Sequence, residues 1–307
     1  MSSKGTLILT DTGNIIITGD LCPKQDEDGP IRTVNGKCFQ KISSHPTGNH
    51  WAAIDKWGNA WTCGDNNDGQ CAHPINIRVT NPIKISNLKS PLIDISAGHD
   101  YTLSCDIDGN VCGWGSSANG RLGNAEIAHF TDPVYIQVSD FIVQVAAGSQ
   151  KAVSLALSIS GIVYCWGDGN DEKLGETRKS PNLFQLTPIK INLSTPIGKI
   201  VSGAGFCAAL TTDGQIITWG KKEAGRLGHG KNSEPGLPSE IKVDDEKFID
   251  IACGAFHCLA IDNTGTVWTW GDNKYGQLGS DQKINNLPKT PFLTRSGPPY
   301  LTPYMIV

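Results

Sequence analysis

Two acidic loops contain the residue types from which proteins build metal sites. One reads Asp65-Asn66-Asn67-Asp68-Gly69 and the other reads Gly167-Asp168-Gly169-Asn170-Asp171. Carboxylate and amide oxygens are the ligands that Ca²⁺ prefers, but neither loop has the ligand spacing and the terminal glutamate of a calcium loop. Both loops begin at or next to a glycine that recurs along the chain. The sequence therefore predicts turns at these positions and no metal site.

The other residues that could do chemistry are dispersed. The seven histidines form no H-E-x-x-H motif, no G-x-S-x-G segment is present, and no glycine-rich phosphate loop precedes a predicted helix. These patterns predict no catalytic residue and no cofactor. Dispersed residues can still converge in a folded chain, so the sequence leaves open whether the protein is an enzyme.

The ten cysteines show no spacing that suggests disulfides or a redox motif. No C-x-x-C is present, and several cysteines fall at equivalent repeat positions, where a thiol acts as a small apolar group. Disulfides are rare in reducing compartments. This cysteine pattern therefore predicts a cytoplasmic location.

Composition and charge narrow the classes of partner. The 307 residues carry a net charge of -4, and the 26 Lys and Arg residues are scattered, without the basic tract that binds phosphate backbones. No apolar run is long enough to cross a bilayer, and the N-terminus lacks the pattern of a secretory leader. We therefore expect a monomer that binds a protein partner, with no membrane span and no nucleic acid.

Three sets of glycines recur at fixed offsets and define an internal repeat. A turn glycine appears six times, at intervals of 45 to 53 residues, as Gly13, Gly58, Gly109, Gly161, Gly214 and Gly265. Six residues after each comes a second glycine, which four units place after Trp114, Trp166, Trp219 and Trp270. The same four units then end in Leu-Gly. The short apolar runs between these glycines are typical of β-strands.

A repeat of about 51 residues with several short strands predicts an all-β, six-bladed β-propeller that comprises residues 1–307. One blade cannot bury both faces of its sheet, so the blades must stack. We expect the four repeated tryptophans to pack between adjacent blades. The units lie near residues 4–36, 39–72, 92–123, 141–175, 197–228 and 248–279.

The first unit differs from the others because it lacks an opening strand. The tract from Leu21 to Gly36 is rich in Asp, Gly and Pro and is interpreted as a loop, and Asn81-Pro82 and Asp132-Pro133 are interpreted as parts of connections between units. The segment near 301–307 ends in Tyr304-Met305-Ile306-Val307, which resembles an opening strand. We expect this strand to pair into the first blade and close the ring, which removes two exposed sheet edges.

The closing pattern of the repeat resembles that of a known family. Trp-Gly followed by Gly-Gln-Leu-Gly or Gly-Arg-Leu-Gly occurs at 114–123, 219–228 and 270–279, and Gly254-Ala255-Phe256-His257 lies upstream of the last copy. These motifs resemble the repeats of the regulator of chromosome condensation family, and the resemblance covers residues 4–307. It implies a β-propeller. The better-known members have seven blades, whereas this sequence contains six units.

The resemblance also indicates candidate binding residues. In the family's exchange factor an Asp just before the histidine position of the repeat is important, and in this sequence only Asp100 is acidic at that position. The candidate partner-binding residues are Asn49, His50, His99, Asp100, Tyr101, Phe256 and His257. Asp100 could equally cap a turn, as Asp often does. For His50 and His257 a structural role, such as bonding a neighbouring strand, is the favoured interpretation.

The resemblance implies several functions. The first is regulation of a small GTPase, Ran-type first and Rab-type next, by an exchange factor or activator that loosens the bound nucleotide through loops on one propeller face. The family's exchange factor uses a wedge inserted in one blade, and no unit here carries a long insertion. The alternative is a non-catalytic binding propeller, an inhibitor or adaptor. Bacteria use similar propellers as secreted effectors that act on host GTPases, so a bacterial effector of this kind is expected in the host cell cytoplasm. Chromatin docking fits the acidic net charge poorly.

Overall fold

The computed structural model describes residues 5–19, 31–149, 151, 153–176, 184–230, 236–243, 246–279 and 292–293. The chain folds into a six-bladed β-propeller, as the repeats predict, and in every blade consecutive strands pair as an antiparallel meander. Short 3₁₀ turns follow the third strands of blades 3, 4 and 5, at Ala118–Gly120, Asn170–Glu172 and Glu223–Gly225.

The first blade has three described strands and the other five blades have four each. In chain order the strands are β1 (Gly5–Leu9), β2 (Ile15–Gly19) and β3 (Ile31–Val34) in blade 1; β4 (Phe39–Ser44), β5 (His50–Asp55), β6 (Ala60–Gly64) and β7 (Val79–Lys84) in blade 2; and β8 (Leu92–Ala97), β9 (Tyr101–Asp106), β10 (Val111–Ser116) and β11 (His129–Ile136) in blade 3. They continue as β12 (Ile142–Ala147), β13 (Val153–Ser158), β14 (Val163–Asp168) and β15 (Phe184–Lys190) in blade 4; β16 (Ile197–Ser202), β17 (Phe206–Thr211), β18 (Ile216–Gly220) and β19 (Ser239–Glu240) in blade 5; and β20 (Phe248–Cys253), β21 (His257–Asp262), β22 (Val267–Gly271) and β23 (Phe292–Leu293) in blade 6.

The six turn glycines share one backbone conformation. Their φ angles lie between 75° and 89°, in the left-handed region where only glycine avoids a steric penalty. In blade 6 the Asp262 carboxylate completes this turn by accepting hydrogen bonds from the backbone N–H groups of Thr264 and Thr266 and from the Trp268 indole. Burial alone would raise the pKa of Asp262, but these hydrogen bonds outweigh it and hold the pKa at about 2. The regular glycine spacing therefore reflects one repeated hairpin.

The hydrophobic core is divided among the blade junctions. Five clusters of buried side chains lie between blades 1 and 2, 2 and 3, 3 and 4, 4 and 5, and 5 and 6. The four repeated tryptophans are fully buried there, and each indole donates over 2.8 to 3.1 Å to a backbone carbonyl of the preceding blade, at Gln70, Arg121, Lys173 and Arg226. The tryptophans thus occupy the junctions, as predicted.

Polar side chains also connect the blades near the centre of the ring. The third residue of the first strand in blades 2, 3, 5 and 6 is charged, and these residues form the ion pairs Lys41–Asp94 and Lys199–Asp250 between adjacent blades. In blade 4 the equivalent Gln144 exchanges two hydrogen bonds, of 2.9 and 3.0 Å, with the backbone of Ile200. These first strands enclose a cavity of about 240 Å³.

Two interpretations of the sequence are wrong. The tract from Leu21 to Gly36 is not all loop, because Ile31–Val34 forms β3 and pairs with β2. Its Ile, Thr and Val residues favour a strand, and the acidic, proline-containing part ends before it. Asn81-Pro82 and Asp132-Pro133 lie within β7 and β11, the outermost strands of their blades. Proline is tolerated there because an edge strand does not need every backbone donor.

The predicted closing strand near 301–307 lies outside the described residues. Within them, β1 is the edge of a three-stranded sheet whose order is β1-β2-β3. An added opening strand of blade 1 would therefore lie next to β1. Closure of the ring by the C-terminal strand stays a prediction.

The nine cysteines in the described part of the chain are free, and all but Cys38 and Cys253 are buried. Burial raises the pKa of the Cys112 thiol to about 11, although a hydrogen bond with Ser104 partly opposes this. A thiol of this kind packs as a small apolar group. The described residues also contain no helix with the length and apolar character needed to span a bilayer.

Candidate functional site

Two sets of loops lie together on one face of the propeller, which we call the loop face. In each complete blade the loop between the first and second strands lies beside the turn that follows the third strand, because the start of the second strand pairs with the end of the third. Gly115, with φ of 98°, makes this approach possible in blade 3. A Cβ at this position would lie 2.6 Å from the Asp100 carbonyl oxygen and 2.7 Å from the Tyr101 Cα.

Asp100 is buried beneath the loop face. Only 6% of the residue is exposed, and its carboxylate forms an ion pair with Arg121, which is 2% exposed and follows the 3₁₀ turn of the same blade. Burial alone would raise the pKa of Asp100, but the neighbouring His99 ring and the Arg121 guanidinium outweigh it and lower the pKa below its ordinary value. The carboxylate is therefore charged at neutral pH and already paired inside the blade.

Tyr101 links blade 3 to blade 4. Its side chain is fully buried, and its hydroxyl shares a 2.8 Å hydrogen bond with the Ser154 hydroxyl and accepts another of 2.8 Å from the Gly148 backbone N–H. Burial is the main reason that the pKa of Tyr101 is raised to about 12. Tyr101 is thus a buried, uncharged side chain that connects two blades by hydrogen bonds, and it is not an exposed contact.

A buried pair of histidines lies at the junction of blades 2 and 3. His50 forms a 2.9 Å hydrogen bond with the Thr102 hydroxyl of the next blade, and His45 forms one of 2.9 Å with the Thr47 hydroxyl. Burial lowers the pKa of His45 to about 3 and that of His50 to about 4. Both rings are neutral at physiological pH. His50 is therefore bonded to a side chain of the neighbouring blade rather than to its backbone.

The seven predicted residues separate by exposure. Asn49 and Phe256 are exposed and His99 is half-buried, whereas His50, Asp100, Tyr101 and His257 are buried. They also form two groups. The loops of blades 2 and 3 touch, since a Cβ on Gly48 would lie 2.6 Å from the Gly98 carbonyl oxygen, while Phe256 and His257 belong to the loop of blade 6.

Sequence reasoning missed the arginines of the closing motif. Arg121 and Arg226 both precede Leu-Gly, and that motif served only to mark the repeat. Arg226 donates from Nε to the Glu223 carbonyl over 2.7 Å and from Nη1 to the Ala204 carbonyl over 2.9 Å. Its guanidinium carbon lies 4.8 Å from the centre of the Phe256 ring in the next blade. The sequence does show these arginines as differences between units, because this motif position varies among Gln, Arg and Lys.

The two acidic loops use their polar side chains to build turns. The Asn66 amide donates to the carbonyls of His73 and Pro74 over 2.9 and 2.8 Å. The Asp168 carboxylate accepts from the Asn170 backbone N–H over 2.9 Å and lies 3.3 Å from the Lys173 ammonium. In the described part of the chain, no three or more His, Cys, Asp or Glu residues group as metal ligands would.

The fold and the repeated Trp-Gly motif define a β-propeller built from copies of one repeat. The family described as the regulator of chromosome condensation (RCC1) repeat matches residues 58–105, 108–155, 160–210, 213–261 and 264–297, which is more than half of the chain. A second form of this repeat matches residues 248–277. The chain belongs to the regulator of chromosome condensation repeat family.

Among curated proteins, the chain is similar to parts of larger relatives. It is 32% identical to the E3 ubiquitin-protein ligase HERC2 of Homo sapiens over 264 residues, which cover 85% of this chain and 5% of that protein. It is 32% identical to the ultraviolet-B receptor UVR8 of Arabidopsis thaliana over 197 residues, which cover 63% of this chain and 44% of the receptor. The chain thus spans less than half of the length of these relatives.

Among solved structures, the human protein WBSCR16 has a TM-score of 0.82 to this chain at 20% identity, covering 94% of this chain and 79% of the other. Prp20p from Saccharomyces cerevisiae has a TM-score of 0.73 at 21% identity, covering 92% of this chain and 72% of the other. At these identities the likeness concerns the fold.

Proposed function

We propose that this protein regulates a small GTPase by binding it with the loop face, Ran-type GTPases first and Rab-type next. The observation that carries the proposal is the separation of the loop residues into a buried set, which fixes the loops, and an exposed set. Asn49, His99 and Phe256 are the proposed contacts, and Asp100 positions its loop through Arg121. A face of exposed loops on a rigid ring is a common way to present binding residues.

Membership of the family supports this choice of partner. Prp20p, which shares the fold, is described by its binding to Gsp1p and histones. The more specific proposal is that the protein also catalyses nucleotide exchange on the GTPase. It requires the loop face to bind the nucleotide-free GTPase more tightly than the nucleotide-bound form, because a protein shifts an equilibrium only by its difference in affinity for two states. We place this activity in the cytoplasm, in keeping with the free, buried thiols.

A binding propeller without exchange activity is the second candidate. The described strands pair as regular meanders in every blade, and loops such as Gly98–Tyr101 and Gly254–His257 are short. Short loops on a stiff ring favour an inhibitor or adaptor, which holds a partner in one conformation. The E3 ubiquitin-protein ligase HERC2, a relative that contains a similar segment, shows that such repeats also occur within much longer chains.

The experiment is release of a fluorescent guanine nucleotide from a panel of Ran and Rab GTPases, with and without this protein. We expect faster release from at least one GTPase and a smaller effect with Phe256→Ala. Trp57→Ala is the matched control, since Trp57 is an exposed aromatic residue, 60% exposed, in the turn at the opposite end of blade 2. Because Asp100 is buried, Asp100→Ala is informative only together with a measurement of folding.

The outcomes separate the two candidates. Binding of a GTPase without faster release would favour the inhibitor or adaptor. A panel in which no GTPase binds would contradict the proposal, and an equal loss of activity in the Trp57 and Phe256 variants would contradict the assignment to the loop face.

A further inference from the structure

A polar cavity opens on the loop face where blades 4, 5 and 6 meet. Its volume is about 480 Å³, which is large enough for several side chains of a partner. Two carboxylates line it, those of Asp168 and Asp171, together with the ring of Phe256. The positively charged side chains that line it are Lys151, Lys173, Lys221 and Arg226.

The positive charges of this cavity differ in how they are neutralised. Lys173 lies 3.3 Å from the Asp168 carboxylate and donates to the Lys151 carbonyl over 2.6 Å. Lys221 lies 3.7 Å from the Glu223 carboxylate, and this pair is partly exposed to solvent. Arg226 takes part in none of the ion pairs formed among the described residues.

Arg226 is therefore a buried cation without a carboxylate partner in the described part of the chain. Only 6% of the residue is exposed. Two of its N–H groups reach backbone carbonyls, and the other three have no acceptor among the described residues. Burial lowers its pKa, and the more distant carboxylates of Glu223, Asp272 and Asp171 oppose this only in part. A buried guanidinium is costly unless an anion pairs with it.

Phe256 adds an apolar surface beside this cation. Its ring lies against the Arg226 guanidinium at 4.8 Å, and 40% of the residue is exposed. Arginine and aromatic residues, Phe included, are enriched at protein interfaces. A free inorganic anion would use the guanidinium but would leave the ring exposed, so the pairing suits a peptide better.

We propose that this cavity binds an acidic segment of a protein partner, with a carboxylate on Arg226 and the adjacent apolar side chain on Phe256. A planar guanidinium offers two parallel donors to a carboxylate, which gives both strength and orientation. Asp171 also lines the cavity, and its charge opposes a second negative charge beside Arg226, so a carboxylate is favoured over a phosphate. The inference goes beyond the proposed function, because it holds whether or not the partner is a GTPase.

The test uses fluorescein-labelled Gly-Ser peptides that carry a central Glu-Glu-Leu-Glu-Glu sequence, with fluorescence anisotropy as the readout. We expect saturable binding that weakens with added salt and falls by about ten-fold or more with Arg226→Met. Phe256→Ala is expected to weaken binding less. A peptide with Gln at every Glu position is expected not to bind. Lys84→Met is the control, since it removes an exposed positive charge from β7, outside the cavity.

Several results would overturn the proposal. One is equal binding by the wild-type protein and a folded Arg226→Met variant, and another is no binding of the Glu peptide at millimolar concentration. Tighter binding of a matched peptide with phosphoserine in place of Glu would overturn the choice of a carboxylate. If Arg226→Met does not fold, Lys221→Met and Phe256→Ala replace it, and unchanged binding by both would contradict the location.

Discussion

Arg121 and Arg226 occupy the same position in blades 3 and 5 and yet have different partners. In each case Nε donates over 2.7 Å to the carbonyl three residues earlier, and the backbone carbonyl accepts a repeated tryptophan indole of the next blade. Arg121 then meets the buried carboxylate of Asp100, whereas Arg226 meets the Ala204 carbonyl and the Phe256 ring.

The loop position just before the second strand differs between the two blades in side chain and in backbone conformation, since Gly205, unlike Asp100, has a positive φ, of 83°. Asp100 stands just before the start of the second strand in blade 3, and Gly205 stands at the equivalent position in blade 5. The repeat therefore fixes where the arginine lies, and the loop residue decides whether its charge is neutralised inside the blade or faces a cavity. Two copies of one motif can serve stability in one blade and binding in another.

The largest expected effect on stability comes from breaking the ion pair between Asp100 and Arg121. Asp100→Ala leaves Arg121 buried without its carboxylate, and we expect a loss of about 3 to 5 kcal/mol in the free energy of unfolding. The double variant Asp100→Ala, Arg121→Met removes both charges and is expected to recover most of that loss. Urea unfolding at neutral pH measures both. Equal stability of the single variant and the wild-type protein would show that the pair does not hold the blade.

Acid is expected to destabilise the junction of blades 2 and 3. The pKa values of His45 and His50 are about 3 and 4 in the folded protein, so between these values and about 6.5 the unfolded chain binds more protons. The contribution of these neutral histidines to stability is therefore complete only well above pH 6.5 and falls as the pH falls, by about 1.5 kcal/mol for each histidine between pH 6.5 and 5. Thermal unfolding across this range measures the slope, and His50→Gln is expected to reduce it. A flat profile would contradict the buried, neutral assignment.

Blade 5 can be given the loop residue of blade 3. Gly205→Asp introduces a carboxylate next to Ala204, whose carbonyl accepts from Arg226, and a Cβ at this position would meet only Lys221 atoms, at 3.6 Å. The left-handed φ of 83° makes the change cost about 1 to 2 kcal/mol. We expect weaker binding of the acidic peptide, because the new carboxylate competes for Arg226. Gly205→Asn is the uncharged control and is expected to leave binding nearly unchanged.

The sequence predicted much of the fold and less of the loop face. The six turn glycines and the four tryptophans were sufficient to place the blades, because each needs one backbone conformation or one buried junction. The outer strands with Pro82 and Pro133 were missed, since edge strands carry a weak pattern. The sequence marked Asp100 and Phe256 as candidates only by their place just before the histidine position of the repeat. The sequence does not show that Asp100 is buried and Phe256 is exposed. This depends on which side chains Arg121 and Arg226 contact in the folded protein.

The division between an internal and a partner-binding arginine is tested by comparing Arg121→Met and Arg226→Met in the same two assays, urea unfolding and binding of the acidic peptide. We predict that Arg121→Met lowers the free energy of unfolding by about 3 to 5 kcal/mol, and that the folded fraction still binds the peptide. Arg226→Met is predicted to change stability by less than about 1 kcal/mol and to abolish most of the binding. If both variants lose stability to the same extent, or if both bind as the wild-type protein does, the division between an internal and a partner-binding arginine is contradicted.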